Sequence, residues 1–532
     1  MASRLYNQTA NKIITDSIKS VVFIDEKALE SYVPLPATPL PEESLSIKLF
    51  NKFKQAGSSL TVHKFVASDL GKPDLIRYLF DNRDLVLLDW ELDRDYATGK
   101  EYSLKLLADV VASAHLHFCA IYTATTRESD VFDNVISFFS GRTRAEYEQI
   151  ELDITPYLDQ IRPVLENVDI YDHLKNQRLI GSLAGIDGFI RDALAATHTT
   201  DIKKALIAIK IAVNPTFIKS VTPNPLPEII DKANKIIVIN NTIVTLIKKD
   251  HRRDPKRLVS RLSNQITNST NSFTQLLGIE MQNIFARKGS FVDSNLLNIS
   301  LKTFLYHRHQ INGVLDDLPF ELFIKDLLIA QAKLNLREEQ LAILDNDFLT
   351  AITPKYPKAS SGEIAKINTF YNGSALTEER KVNFGDIFHF RDNIYYMCIT
   401  PLCDCLYPDD NIKNKYFFVK GISFNDIEEA ISLGDEAFIS YIDELTCISW
   451  VWVAPKSDKA DKHKPIYVKP NQLYIPDGTI AEGKLKAHDY HKGAPFEINL
   501  TYRFTLRQQY AQRIANHAFS HPLRVGVDYV KK

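Results

Sequence analysis

Acidic and hydroxyl side chains follow several apolar runs of the sequence at the points where predicted strands end. Asp25 and Glu26 come directly after "SVVFI", Asp89 after "DLVLL" and Thr123 after "HFCAIY". In an open parallel sheet flanked by helices, ligands bind at the carboxyl ends of the strands, near the point where the strand order reverses. If the strand order is 2-1-3-4-5, the first, third and fourth strands are neighbours. Their terminal side chains then converge on one pocket.

Carboxylates crowded into one pocket repel one another and raise one another's pKa unless a cation joins them. Mg²⁺ suits such a pocket because it takes oxygen ligands and keeps positions for phosphate oxygens and water. A pocket of this kind can accept a phosphoryl group on one carboxylate. Asp89 is the best nucleophile candidate, and Thr123 would donate its hydroxyl to a phosphoryl oxygen. A single Asp at a strand end is usually a turn or cap residue, but three matching strand ends favour a functional site.

The elements that must position these residues form a repeating strand and helix pattern from residue 20 to about 130. Apolar runs without strict alternation are typical of parallel strands that are buried on both faces, and the segments between them have helical apolar spacing. The four predicted strands are 20–24, 60–66, 84–88 and 117–122. A proline-rich stretch at 31–44 is predicted to be an extended loop after the first strand.

The rest of the chain changes character twice. Helical periodicity dominates from about 155 to 350 and includes "LPEIIDKANKIIVINNTIVTLIKKD", while aromatic and β-branched runs dominate after about 353 and precede a terminal helix. We therefore predict three domains, at 1–155, 156–352 and 353–532. They are an α/β domain, an α-helical middle region and a β-rich C-terminal domain.

Residues 18–150 resemble the receiver domain of bacterial two-component response regulators. The resemblance is carried by "VVFIDEK", "VLLDWEL" and "IYTAT". It implies a flavodoxin-like, CheY-like fold with a parallel sheet of order 2-1-3-4-5, and a sensor histidine kinase as phosphodonor. It also implies Asp25, Glu26, Asp89 and the backbone carbonyl of Glu91 as Mg²⁺ ligands, Asp89 as phosphoacceptor and Thr123 as the switch hydroxyl.

The sequence departs from this family at the fifth strand. Receiver domains place a Lys-Pro pair there, soon after the switch residue, and residues 131–158 contain no lysine. Arg142 or Arg144 could supply a cation instead, although a guanidinium differs from an ammonium in reach and geometry. The sequence therefore predicts phosphorylation with a weak or altered conformational relay.

The order of the whole chain resembles long receiver proteins of bacterial antiphage defence. It is most similar to the receiver-only component of Detocs, a defensive two-component system, and this analogy lies at the level of overall layout. The resemblance implies a phosphate sink that buffers signalling between the kinase and a receiver-containing effector. The sequence fits a sink because no effector chemistry is visible after the receiver-like part.

Composition limits the remaining classes of function. The chain of 532 residues has a formal net charge of −2 and lacks GxGxxG, GxxxxGK[ST], HExxH and GxSxG motifs. Because these motifs are absent, we expect a protein that is not an enzyme. We expect it to be cytoplasmic, because there is no signal-like segment and no apolar run long enough to span a membrane. Five cysteines are too few for a disulfide framework in a chain of this length.

Four alternatives stay open. Cys398, Cys403 and Cys405 match a zinc site poorly, and an enzyme centred on Cys403 is a further alternative. The basic stretch 248–261 could bind a phosphate backbone, although nucleic acid is not the favoured partner. A pseudo-receiver that binds a protein or nucleic acid through the C-terminal domain is the main competing interpretation. A homodimer is expected because symmetric dimers are the commonest oligomers.

Overall fold

The computed structural model describes most of the chain. The described residues are 2–113, 115–124, 128–171, 195–198, 201–249, 254–269, 272–312, 318–353, 357–376, 379–406, 408–424, 426–432, 438–450, 452–453, 465–466, 470–491 and 494–523. The chain divides into two compact units, of which the first comprises Met1–Val314 with Phe320–Pro354 and the second Leu315–Pro319 with Lys355–Lys532.

A seven-stranded sheet of order β2-β1-β3-β4-β7-β6-β5 forms the centre of the first unit. Strands β1 to β4 and β7 run parallel to one another, and β6 and β5 continue the sheet beyond β7 in antiparallel pairs. The strands are β1 (Ser20–Asp25), β2 (Ser59–Lys64), β3 (Leu85–Leu88), β4 (His117–Thr123), β5 (Ile229–Asp231), β6 (Ile236–Ile239) and β7 (Thr242–Lys248). The predicted flavodoxin-like order is confirmed for the first four strands, and β7 holds the fifth position.

The prediction of a helix in "LPEIIDKANKIIVINNTIVTLIKKD" is wrong, because this stretch forms β5, β6 and β7. Strands β6 and β7 are joined by the two-residue turn Asn240–Asn241, in which Asn240 has a φ of 50°. Asn tolerates this left-handed conformation better than most residues, and the β-branched residues on either side favour strands. These three strands complete the N-terminal sheet. The predicted domain boundaries at 155 and 352 stay predictions.

Helices cover both faces of this sheet. Alternate residues of β1 point to opposite faces, with Val22 and Ile24 in one apolar core and Val21 and Phe23 in the other. The first core is closed by α3 (Pro73–Phe80), α4 (Tyr96–Val111), α5 (Glu128–Phe138), α6 (Arg144–Ile154), α7 (Leu158–Glu166) and α8 (Ile202–Val213). The second is closed by α1 (Ala2–Ser17), α2 (Pro41–Gln55), α9 (Asp254–Asn268) and α10 (Ser272–Lys288).

The predicted helical character of the middle region is confirmed for its later part. After α10 the chain forms α11 (Ser294–Leu297), α12 (Leu301–Asn312), α13 (Leu318–Leu336) and α14 (Asn346–Ile352). Phe348 of α14 packs into the second core, beside α1. Many apolar side chains of α12 and α13 are exposed.

The second unit contains a closed β-barrel. Its strands pair in the circular order β11-β10-β20-β19-β17-β12, and β12 pairs again with β11. The barrel strands are β10 (Asp386–Arg391), β11 (Ile394–Cys398), β12 (Lys415–Ser423), β17 (Asn471–Tyr474), β19 (Lys484–His491) and β20 (Ala494–Leu506). The shorter strands are β8 (Gly373–Ser374), β9 (Arg380–Lys381), β13 (Ile439–Tyr441), β14 (Cys447–Ser449), β15 (Trp452–Val453), β16 (Pro465–Ile466) and β18 (Thr479–Ile480).

Four helices accompany this barrel among the described residues, and Cys405 of one of them belongs to the same core as the barrel interior. The four helices are α15 (Ser361–Asn372), α16 (Leu402–Leu406), α17 (Ile427–Ser432) and α18 (Gln508–Leu523). Phe388, Tyr416 and Phe418 fill the barrel interior, and Ala511 and Ile514 of α18 join a separate outer core. The predicted β-rich C-terminal region with a terminal helix is confirmed.

Within the residues that the structure describes, no helix is both long enough and apolar enough to cross a bilayer.

Candidate functional site

The strand ends meet as the sequence predicts. Asp25 is the last residue of β1 and Asp89 directly follows β3, and the backbone N–H of Asp89 donates to the carbonyl of Ile24 at 3.0 Å. This parallel pairing places the two carboxylates side by side, because neighbouring parallel strands end at the same edge of a sheet. One carboxylate oxygen from each of Asp25, Glu26 and Asp89 lies within 4.8 Å of the others. These three residues form the acidic pocket.

A lysine completes the acidic pocket, contrary to the expectation that this cation is missing. Lys249 directly follows β7, and its Nζ lies 2.7 Å from Asp25 Oδ2 and 3.0 Å from Asp89 Oδ1. Its backbone N–H donates to the carbonyl of Thr123 at 2.7 Å, so β7 continues its pairing with β4 up to this residue. The residue lies far from Thr123 in sequence because helices α5 to α8 and the β5–β6 hairpin are inserted before the fifth parallel strand.

Arg142 and Arg144, which the sequence analysis named as possible replacements for the lysine, are not needed as the cation of the acidic pocket. The guanidinium of Arg142 donates to the carbonyl of Thr197, and the backbone N–H of Arg144 donates to the carbonyl of Ser220. The weak relay that the sequence predicted from a missing lysine therefore loses its basis. A lysine of the required type is present at the required strand end.

Burial and charge set the protonation states in the acidic pocket. Burial raises the pKa of Asp89 to about 8, against the opposing effect of Lys249 and with a further increase from the charge of Asp25. Burial alone would lower the pKa of Lys249, but the carboxylates of Asp89 and Asp25 reverse this and raise it. One ammonium cannot neutralise both Asp25 and Asp89, so Asp89 retains its proton at neutral pH unless a further cation binds. A divalent cation would take the place of that proton.

Glu26 gives the clearest sign that the acidic pocket fits such a cation. Its Oε1 pairs with Lys27 Nζ at 2.7 Å, whereas its Oε2 is buried and has no hydrogen-bond partner. A buried carboxylate oxygen without a partner is costly, and a metal ion is one way to satisfy it. Three carboxylates also match the oxygen ligands that Mg²⁺ prefers. The residues present therefore fit a divalent cation held by Asp25, Glu26 and Asp89.

The loop after β3 fixes the orientation of the Asp89 carboxylate. The backbone N–H of Trp90 donates to Asp89 Oδ1 at 2.9 Å, and the hydroxyl of Ser103 donates to the carbonyls of Asp89 at 2.7 Å and Trp90 at 3.0 Å. A Cβ on Gly99 would lie 2.9 Å from the backbone nitrogen of Asp93, so only glycine allows α4 to approach this loop closely. Sequence reasoning missed Ser103 and Gly99, which carry no motif of their own.

Thr123 and Glu91 have the positions expected of them, while their roles stay predictions. Thr123 is the last residue of β4 and is buried beside Lys249. Glu91 lies in the loop after β3, two residues beyond Asp89, and is half-buried. The structure thus brings Asp25, Glu26, Asp89 and Thr123 to one edge of the sheet.

A second ion pair joins the two helices that follow the β3 and β4 ends. Lys100 of α4 is buried, and its Nζ lies 2.6 Å from Asp130 Oδ2 on α5. The hydroxyl of Tyr96 donates to the same oxygen at 2.9 Å, and the Lys100 ammonium lies 3.8 Å from the centre of the Tyr96 ring. These contacts hold the start of α5 against α4.

The other candidates receive less support. Cys398 and Cys405 are buried and Cys403 is exposed, and among the described residues the acidic pocket alone has the grouping of a metal site. The hydrogen bond from Cys403 Sγ to the adjacent Asp404 is 3.8 Å long. In the basic stretch 248–261, residues 250–253 lie outside the described residues.

One comparison with known proteins bears on this site. Residues 17–164 match the family model described as the response receiver domain, which spans β1 to β4 and their strand ends. The N-terminal part of the chain therefore carries a receiver domain of the response-regulator type, the class that takes phosphoryl groups from histidine kinases. The match ends before β7, so the fifth strand and Lys249 are identified by the fold. No curated protein and no solved structure matches the chain.

Proposed function

We propose that this protein is a response-regulator-like phosphoacceptor, which takes a phosphoryl group from a partner sensor histidine kinase onto Asp89. The observation that carries the proposal is the convergence of Asp25, Glu26, Asp89 and Lys249 at the carboxyl edge of one parallel sheet. Acidic groups and a lysine around one buried aspartate are the parts that phosphoryl transfer to a carboxylate requires.

The residues act in the following roles. A carboxylate oxygen of Asp89 attacks the phosphorus of the donor phosphohistidine, the phosphorus–nitrogen bond breaks, and its electron pair stays on the imidazole, which then binds a proton. Lys249 and the Trp90 N–H fix the orientation of Asp89. Thr123 would donate its hydroxyl to a phosphoryl oxygen. Asp25, Glu26, Asp89 and the carbonyl of Glu91 would hold Mg²⁺, which would supply positive charge next to the transferring oxygens.

The raised pKa of Asp89 makes the cation important for this chemistry. A carboxyl group with a pKa of about 8 is largely protonated at neutral pH and is then a poor nucleophile. A bound divalent cation favours the ionised form and lowers the pKa. We infer that Asp89 would be a competent nucleophile at neutral pH only while a divalent cation is bound.

We further propose a role as phosphate sink in an antiphage two-component system, in the cytoplasm and without enzyme activity of its own. This finer proposal rests on the resemblance of the whole chain to the receiver-only component of Detocs. With Lys249 in place, the argument from a missing relay residue no longer supports it. Its partners would be the sensor kinase and a receiver-containing effector. A sink should lower phosphorylation of that effector when both proteins compete for one phosphorylated kinase.

The experiment is transfer of radiolabelled phosphate from a candidate kinase, or from acetyl phosphate, to the full chain. We expect a hydroxylamine-labile label that requires Mg²⁺, persists in D74N and disappears in D89N. Asp74 is a matched control because it is an exposed carboxylate at the start of α3. Undiminished labelling of D89N would contradict the assignment.

A pseudo-receiver that serves as a binding or scaffold protein is the second candidate. The observation in its favour is that the Lys249 ammonium already bridges Asp25 and Asp89, which is one way for such a pocket to be stable without a metal. Titration with Mg²⁺ separates the two proposals. Millimolar Mg²⁺ that leaves Trp90 fluorescence and thermal stability unchanged favours the scaffold.

A further inference from the structure

Helix α13 has one apolar face that the fold covers. Ala332 is buried, and Ile324 and Leu328 are half-buried on the same side of the helix. At the end of the helix, the side-chain amide of Asn335 donates to the carbonyl of Ser290 at 2.8 Å. These contacts hold α13 against the chain that follows α10 and fix which side faces outward.

A second apolar stripe on α13 is exposed to solvent. Phe323, Leu327 and Leu334 are exposed by 42%, 52% and 61%, and Ala330 between them is also exposed. Their spacing of four, three and four residues is that of the apolar seam along which two helices pack in a coiled coil. We call these four residues the α13 seam. A helix that is apolar on several sides is normally buried.

Helix α12 lies against one end of the α13 seam. The ring of His307 packs edge-on against Phe323, with the ring centres 5.5 Å apart. Leu301, Leu305 and Tyr306 of α12 are exposed by 73%, 52% and 67%, but they lie on other sides of α12 than His307. At roughly 150–250 Å² for a large side chain, the α13 seam alone exposes on the order of 350 Å². The seam would therefore form the apolar centre of an interface, since a standard interface buries about 800 Å² on each partner.

We propose that a second copy of this chain covers the α13 seam, with the two α13 helices antiparallel across a two-fold axis. This arrangement places Leu327 opposite Ala330 and Phe323 opposite Leu334, so that a large side chain meets a smaller one in the central layers. It also brings Asp326 of each copy towards Lys333 of the other. A parallel pair would place Asp326 beside Gln331 of the other copy and would form no such ion pair, so the charges favour the antiparallel arrangement.

The balance of charged residues in this segment of the sequence is compatible with self-association. Residues 294–336 carry four basic side chains (Lys302, Arg308, Lys325 and Lys333) and four acidic ones (Asp316, Asp317, Glu321 and Asp326). Two copies of this segment therefore do not repel one another. A symmetric dimer that uses one self-complementary patch is the commonest protein oligomer.

Sedimentation equilibrium of the full chain at micromolar concentration tests the interface. We expect a dimer for the wild-type protein and for I329D, and a monomer for L327D. Ile329 is a matched control because it is exposed by 59% on the same helix but lies outside the α13 seam. A monomeric wild-type chain overturns the proposal, and the partner that covers the α13 seam would then be a different protein. A dimer that survives L327D also overturns it.

Charge exchange tests the partner assigned to Asp326. D326K or K333D alone should weaken the dimer by roughly 10-fold, because each substitution removes two symmetry-related ion pairs and places like charges opposite each other. The double variant D326K/K333D should recover the wild-type dissociation constant. Additive weakening in the double variant would contradict the antiparallel pairing.

Disulfide trapping tests the direction of the helices. Chains carrying L327C are mixed with chains carrying A330C, all in a C403S background because Cys403 is the exposed cysteine among the five in the sequence. The antiparallel arrangement predicts disulfides mainly between the two different variants. Efficient linkage of L327C to itself, with none to A330C, would show a parallel pair and overturn the proposal.

Discussion

Replacement of Lys249 by methionine tests the electrostatics of the acidic pocket. The Lys249 side chain is 4% exposed, and its Nζ lies 2.7 Å from Asp25 and 3.0 Å from Asp89. At an effective dielectric constant of about 20, each contact is worth roughly 6 kcal/mol before desolvation is subtracted. Breaking a buried ion pair by removing one partner typically costs about 3–5 kcal/mol, because the other charge stays buried without a counter-charge.

The expected loss depends on pH and on Mg²⁺. Without Lys249, the pKa of Asp89 should rise above its present value of about 8, so proton uptake recovers part of the stability at neutral pH. The free energy of unfolding of K249M should therefore decrease relative to wild type by about 1.4 kcal/mol per pH unit as pH rises above 8. Saturating Mg²⁺ should restore much of the loss, since it supplies the missing positive charge.

Urea denaturation of the full chain provides the assay. The unfolding transition that shifts on addition of MgCl₂ is the one that reports on the first unit. K248M is the matched control, because Lys248 is exposed at the adjacent position. We expect K248M to unfold within about 0.5 kcal/mol of wild type. If K249M were as stable as K248M with and without Mg²⁺, the proposed electrostatics of the pocket would be wrong.

Further predictions concern the metal, the pH and the loop after β3. The rate of labelling of Asp89 by acetyl phosphate at limiting Mg²⁺ should rise with pH up to about 8, and saturating Mg²⁺ should move the midpoint to lower pH. In metal-free protein this raised pKa favours the folded state only when Asp89 is protonated, so unfolding experiments should show stability falling as pH rises from about 4 to 8. E26Q should weaken Mg²⁺ binding by about 10-fold in calorimetric titration, because it removes the charge of the carboxylate whose Oε2 has no partner. G99A should destabilise the protein by about 1–3 kcal/mol and slow labelling, since its Cβ would meet the Asp93 backbone at 2.9 Å. G362A is the control for that variant, because nothing lies within 4 Å of the added Cβ.

The first four strands and the acidic pocket could be predicted because short stretches of the sequence indicate each of them on their own. Each of these strands is a short apolar run, and the residue type at its end shows the chemistry, as with Asp25 and Asp89. Parallel topology then brings these ends together. This prediction therefore required no knowledge of tertiary contacts between distant parts of the chain.

The fifth strand could not be placed from local sequence. The run "TIVTLIK" reads equally well as part of a buried helix, because continuous apolar residues show no period. Lys249 was missed for the same reason, since a search limited to the residues just after Thr123 assumes that nothing is inserted before the fifth strand. The signals that could have found it were the Asn-Asn turn at 240–241 and a lysine directly after a β-branched run. Gly99 and Ser103 act through tertiary contacts that leave no pattern in the sequence.

The most direct test of the central claim is mass spectrometry of the full chain after incubation with acetyl phosphate and Mg²⁺, with reductive trapping of the acyl phosphate by borohydride. The account predicts homoserine at position 89, no such conversion at Asp25 or Asp74, and no conversion when Mg²⁺ is removed by a chelator. Conversion at a different aspartate, or at none in fully folded protein, would contradict it.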